Sequence, residues 1–169
     1  MRRVVIPTFL INHHWINQMK KIIFTLACLI FISCASTKLP PIGPTKEMIK
    51  NADEILLTVN EPPNKAYQDF AKYLSNNGFG LASTDKSLMF IKTDNKQIAK
   101  SNFSYHINAT IDSSKVTVIH ILGIGSNLLG GNFNVENRGS YKSALKVAWN
   151  EMDRLAESYP HTKIMYKRN

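Results

Sequence analysis

The stretch "NFSYHINATID", residues 102–112, alternates without exception between polar and apolar side chains. The apolar side chains occupy the odd-numbered positions: Phe103, Tyr105, Ile107, Ala109 and Ile111. The polar side chains occupy the even-numbered positions: Asn102, Ser104, His106, Asn108, Thr110 and Asp112. Successive side chains of an extended chain point to opposite faces, so this period of two predicts a β-strand with one buried and one solvated face.

A second strand is predicted in "VTVIHIL", residues 116–122, after a turn over residues 112–115. A short loop would set Ile111 opposite Val116 and, in the same register, Ile107 opposite His120. This register places His106 and His120 on opposite faces of the sheet. A single metal ion could then not use both histidines.

The remaining elements predict a single α+β domain over residues 53–169. Three further stretches have the composition of strands: "EILLTVN" (54–60), "LASTDKSLMFIKT" (81–93), which would form two strands about a turn, and "KIMYK" (163–167). Apolar residues at helical spacing predict helices over about 66–76 and 140–158. The order is β-α-β-β-β-β-α-β, which predicts a two-layer sandwich of two helices on one mostly antiparallel sheet.

Residues 1–33 have the features of a leader. In "MKKIIFTLACLIFISCAS" (19–36), two lysines precede an apolar run from Ile22 to Ser33, which is too short to cross about 30 Å of hydrocarbon. Positive charge, a short apolar core and small residues at its end are typical of a signal peptide. Translation from Met19 would give a conventional leader, which favours a mis-called start for residues 1–18.

The end of this run, Phe31-Ile32-Ser33-Cys34, resembles the lipobox of bacterial lipoproteins. Leucine is usual in the family where Phe31 stands, and glycine or alanine is common in place of Ser33. The resemblance implies that Cys34 is acylated and becomes the mature N-terminus. Ala35 is not the aspartate associated with inner-membrane retention, so the resemblance implies the periplasmic face of the outer membrane. The alternative is an ordinary signal peptide with an incidental cysteine.

Residues 34–52 are interpreted as the lipidated cysteine and a proline-rich tether. "ASTKLPPIGPTKEM" (35–48) contains three prolines and little that could be buried. An extended proline-rich chain of about fifteen residues would hold the domain roughly 45 Å from the bilayer.

A further resemblance covers residues 66–93, "AYQDFAKYLSNNGFGLASTDKSLMFIKT". A helix that ends at Gly-Phe and leads into a strand, an aspartate turn and a strand ending in Thr is similar to small outer-membrane assembly lipoproteins, including a component of the barrel-assembly machine. This resemblance implies an accessory role in envelope assembly, with an envelope protein or lipid as partner.

Charge and composition argue against several classes of function. The formal charge is +9, but four of the basic residues lie in the leader, and the rest form no clustered stripe of the kind that binds nucleic acid. Both cysteines, Cys28 and Cys34, belong to the leader region, so the domain has no thiol chemistry. No catalytic set can be singled out around His106, His120 or His161. We therefore expect no enzyme activity, no metal and no cofactor.

The glycine-rich stretch "GIGSNLLGGNF", residues 123–133, has two interpretations. It lacks the Gly-Lys-Ser/Thr ending of a phosphate-binding loop, and Leu128 stands where a dinucleotide fingerprint needs its third glycine. One interpretation is a mobile connection. The other is an apolar flap that contacts a lipid or a partner, formed by Ile124, Leu128, Leu129 and Phe133.

The function favoured by these patterns is a non-enzymatic binding or envelope-assembly module, anchored to the outer membrane by lipid and facing the periplasm. The second hypothesis is a lipid-binding or small-ligand-binding domain with a pocket between helices and sheet. The third hypothesis is a hydrolase that acts on cell wall or glycan, and it would require a cleft that gathers His106, Thr110 and Asp112.

Overall fold

The computed structural model describes residues 41–139 and 143–169. Within them the chain forms two helices, α1 (Pro63–Asn76) and α2 (Ala144–Ser158). The strands of the described residues are β1 (Ile42–Thr45), β2 (Glu54–Val59), β3 (Leu81–Asp85), β4 (Phe90–Thr93), β5 (Lys96–Gln97), β6 (Phe103–Asp112), β7 (Thr117–Asn127), β8 (Asn132–Asn134) and β9 (Lys163–Arg168). Cys34 and residues 140–142 lie outside the described residues.

The strands form one open sheet in the order β1-β9-β2-β7-β6-β4-β3, with β5 paired to β6 and β8 paired to β7. Every pair in the described part of the chain is antiparallel. Both helices pack on the face that carries the odd-numbered side chains of β6 and β7. The predicted α+β class, with two helices on one antiparallel sheet, is confirmed.

The helices begin and end at the residues that local chemistry favours. Pro63 lies in the first turn of α1, where its missing N–H costs no hydrogen bond, and Gly78 at φ +81° follows the end of that helix. Ser143 caps α2, because its side chain accepts a hydrogen bond from the Lys146 amide. The rings of Phe70 and Tyr159 meet edge to face, with centroids 5.1 Å apart, and join α1 to the end of α2.

The predicted register of the central hairpin is wrong. Ile111 lies opposite Ile119 rather than Val116, and Thr110 lies opposite His120. The physical reason is a longer turn: Asp112 accepts a hydrogen bond from the Ser114 amide at 3.0 Å, and Val116 remains outside the strand with 57% of its surface exposed. The observed register differs from the predicted one by an odd number of residues, so His120 lies on the same face of the sheet as His106.

The sheet extends further toward the N-terminus than the tether prediction allows. Strand β1 pairs with β9, with Ile42 opposite Arg168, so residues 42–45 belong to the folded domain rather than to a tether that ends at residue 52. The segment that follows is also bonded to the domain, because the Asn137 amide donates a hydrogen bond of 2.7 Å to the Ala52 carbonyl and the Asn51 amide donates one of 2.9 Å to the Asn137 carbonyl.

Candidate functional site at the β7–β8 hairpin

Residues 127–131 connect β7 to β8 in a tight, well-bonded turn. The Asn127 side chain accepts hydrogen bonds from the amides of Leu129 (3.0 Å) and Gly131 (3.2 Å). The Asn127 backbone also bonds the amide of Gly130 and the carbonyl of Gly131. Gly130 has φ +80°, a conformation that side chains with a Cβ rarely adopt. Residues 127–131 thus form a hydrogen-bonded turn at the tip of the hairpin.

Two leucines occupy this tip, and both are exposed. Leu128 has 81% and Leu129 has 95% of its surface accessible, the two largest values among the large apolar side chains of the described residues. Single exposed leucines are common on protein surfaces, but two adjacent leucines on a rigid turn form a small apolar patch.

The other two members of the predicted flap lie elsewhere on the hairpin. Phe133 lies opposite Gly125 and packs edge to face on Phe103, with centroids 5.6 Å apart. Ile124 lies opposite Asn134 and points to the other face, since neighbouring positions of a strand alternate. The four predicted residues therefore do not form one cluster. Leu128 and Leu129 are the exposed pair, and Phe133 supports the hairpin beneath them.

The tip extends past one end of the sheet, which we call the proximal end. Here β1 begins at Ile42, β2 begins at Glu54 and β9 ends at Arg168. Strand β7 pairs with Glu54 through Leu122 and continues to Asn127. At about 3.3 Å per residue, Asn127, where the turn begins, lies roughly 16 Å beyond the row of strand ends. The leucine tip therefore points in the direction from which the preceding chain joins β1.

A basic turn lies beside the tip. Phe103 at the start of β6 pairs with Asn127, so the turn before β6 is the lateral neighbour of the hairpin. Lys100 is exposed in that turn. Neither residues 95–104 nor residues 123–135 contain an acidic side chain. The local charge near the leucines is therefore positive.

His120 belongs to a polar network that sequence reasoning did not find. Its Nδ1 lies 2.7 Å from Oε1 of Glu54, and Lys167 donates to the other carboxylate oxygen at 3.0 Å. Asn169 bonds Glu54 and also Asp53. The hydrogen bond from His120 is the largest cause that lowers the pKa of Glu54 to about 2, against the opposing effect of burial. This buried carboxylate ties β2 to β7 and β9.

The residues of the predicted hydrolase cleft share a face but not a site. His106 and Thr110 lie four positions apart on β6, which separates them by about 13 Å, and Asp112 is used in its own turn. His106 bonds Asn95, and burial lowers its pKa. Among the described residues no group of three His, Cys, Asp or Glu side chains could hold a metal ion.

A second buried network holds α2 to the sheet. Tyr105 donates to one oxygen of Glu151 at 2.7 Å, and Lys96 donates to the other at 2.5 Å. Lys96 also lies 4.3 Å from the centre of the Phe79 ring, a cation–π contact. Tyr105 is buried while Lys96 and Glu151 are half-buried, and their contacts join α2 to β5 and β6.

Two signals in the sequence point to the residues that were missed. Asn127 precedes Leu-Leu-Gly-Gly, and an asparagine side chain often closes a turn by bonding the backbone two residues further on. Glu54 opens an otherwise apolar strand, where a buried carboxylate needs partners. The partners, His120, Lys167 and Asn169, are far away in sequence, so only the fold identifies them.

In the described part of the chain, neither helix has the length and apolar character needed to cross a bilayer. No protein-family model matches this chain, and no curated protein sequence matches it.

Proposed function

We propose that this protein is a lipoprotein anchored through Cys34 to the periplasmic face of the outer membrane, where it works by binding an envelope component rather than by catalysis. The observation that carries the binding role is the exposed Leu128-Leu129 pair on a rigid hairpin tip. The support for the anchor is the lipobox-like sequence that ends at Cys34.

The charged groups of the domain also favour binding over catalysis. Glu54 and Glu151 are both held by cations and hydrogen-bond donors at the sheet. The pKa of each carboxylate is lowered from its ordinary value, which makes the group a poorer proton donor or acceptor near neutral pH. Both carboxylates therefore suit a structural role.

One observation favours each of the two alternative functions, the ligand-binding domain and the hydrolase. Trp149 is fully buried between α2 and the sheet with its indole Nε1 unpartnered, which favours a polar ligand atom at that point. Thr110 lies opposite His120, which is bonded to Glu54, so a hydroxyl-bearing residue, an imidazole and a carboxylate occupy neighbouring positions of the sheet, as the hydrolase hypothesis would need. Native mass spectrometry of the purified protein tests the ligand-binding hypothesis by detecting a retained ligand. The hydrolase hypothesis is tested by comparing the hydrolysis of cell-wall fragments by wild type and by His120→Asn.

The anchor is tested by metabolic labelling with palmitate in a bacterial host. Cys34→Ala is expected to lose all label and to leave the detergent phase on phase separation. Cys28→Ala is the matched control, because it removes the other cysteine of the leader and should retain label. Density-gradient fractionation should then place the labelled protein with the outer membrane. Label retained in Cys34→Ala would refute the proposed anchor.

A further inference from the structure

We propose that Leu128 and Leu129 insert into the interfacial layer of the bilayer that carries the Cys34 anchor, so that the domain contacts the membrane at a second point. This inference rests on the proposed function, because the anchor places the domain at that membrane. The ligand is the phospholipid surface itself.

The first argument is the state of the two side chains. Both leucines are almost fully accessible and lie in the turn at the tip of the β7–β8 hairpin. Leucine gains free energy on leaving water for an apolar phase. A bilayer interface accepts a convex apolar tip without needing a complementary shape.

The second argument is the state of the backbone. Unpaired N–H and C=O groups oppose entry into a low-dielectric layer. In the turn, the amides of residues 127, 129, 130 and 131 all donate hydrogen bonds within the hairpin. The tip can therefore enter the interface with most of its amides already satisfied.

The third argument is reach. Eight residue steps separate Cys34 from Ile42, and a fully extended chain covers at most about 28 Å over that length. The tip extends roughly 16 Å beyond the row that contains Ile42, on the same end of the sheet. The connection can therefore be longer than the overhang of the tip, so its length allows the leucines to reach the surface of the bilayer that carries the anchor.

The fourth argument is size and charge. A stable protein interface buries about 800 Å² on each partner, far more than two leucines provide, whereas an anchored domain needs only a small additional contact. Lys100 beside the tip adds attraction to anionic head groups, and no carboxylate in residues 95–104 or 123–135 opposes it. These features favour a membrane over a protein as occupant.

The test uses tryptophan at the tip as a depth probe. Leu129→Trp is compared with Leu88→Trp, which lies in the β3–β4 turn at the opposite end of the sheet and is 71% exposed. Each full-length variant is produced in a bacterial host, purified after processing, and reconstituted into phosphatidylethanolamine–phosphatidylglycerol vesicles with or without brominated acyl chains. Trp149 is buried and gives the same background in both.

The expected result is loss of most emission at position 129 in brominated vesicles, with a blue shift, and unchanged emission at position 88. Equal emission from position 129 in brominated and plain vesicles, with the protein floating alongside them, would overturn the tip inference and leave the anchor standing. Quenching at position 88 equal to that at position 129 would overturn it as well. Failure of both variants to float would overturn the anchor, and the tip inference with it.

Discussion

The Glu54 carboxylate is expected to stabilise the fold in a pH-dependent way. Its side chain is only 11% exposed and is bonded to His120 and Lys167, and its pKa is lowered from 4.5 to about 2. A carboxylate with a depressed pKa in the folded state contributes stability that is present above its unfolded pKa and is lost as the pH falls toward its folded pKa. A difference of this size corresponds to about 3 kcal/mol, lost between about pH 5 and pH 2.

The assay is urea unfolding of wild type and Glu54→Gln at pH 5, 4, 3 and 2. Both proteins carry the same other carboxylates, including Glu151, so the difference between them isolates Glu54. The wild type should be more stable at pH 5, by up to about 3 kcal/mol, and the gap should close as the pH approaches 2. A gap that stays constant over this range would refute the reasoning, since it would show that the charge of Glu54 adds nothing to stability.

Three further substitutions test the packing of the domain by urea unfolding. Gly123→Ala would place a Cβ 2.8 Å from Cβ of the fully buried Val135, and we expect a loss of about 1–3 kcal/mol; unchanged stability would show that β8 can move away. Tyr105→Phe removes the hydrogen bond to Glu151 and should cost about 2 kcal/mol, against the near-zero effect expected if the hydroxyl were solvated. Phe70→Ala empties a fully buried site and should cost about 4 kcal/mol, and a loss below 1 kcal/mol would contradict its place in the core.

The regular elements could be predicted because each follows from short-range rules. The alternation in residues 102–112 depends only on the geometry of an extended chain, and the structure has a strand at 103–112 with its odd-numbered apolar side chains facing the helices. The end of α1 at residue 76 follows from Gly78, which adopts φ +81° there. In both cases the information lies within a few residues.

The hairpin register could not be predicted because it depends on one hydrogen bond. Val116 is apolar and resembles the first residue of a strand, but the Asp112 side chain accepts a hydrogen bond within a longer turn, which leaves Val116 exposed outside the strand. An odd shift then exchanges the faces of a whole strand. His120 thereby lies on the same face as Glu54. Their hydrogen bond could not be predicted, because it depends on this register.

Strand β1 was missed for a different reason. Its residues, Ile42-Gly-Pro-Thr45, have glycine and proline where a strand prediction needs β-branched or aromatic side chains. Proline is tolerated in β1 because this is an edge strand, where one side of the backbone has no pairing partner in the sheet. Tertiary pairing with β9 overrides the local preference.

The geometry of the candidate site could be predicted only in part. Leu128 and Leu129 stand out in the sequence as apolar residues among glycines, and the structure exposes both. The separation of Ile124 from Phe133 could not be predicted, because it requires knowing that residues 123–133 form a hairpin whose side chains alternate. Contact of the tip with a lipid or a partner stays a prediction.

The most direct measurement is mass spectrometry of the N-terminal peptide of the mature protein isolated from bacterial membranes. We predict a peptide that begins at Cys34 and carries the added mass of a diacylglyceryl group and an amide-linked acyl chain. A peptide with an unmodified Cys34, or one that still carries leader residues, would contradict the anchor on which the membrane contact of Leu128 and Leu129 depends.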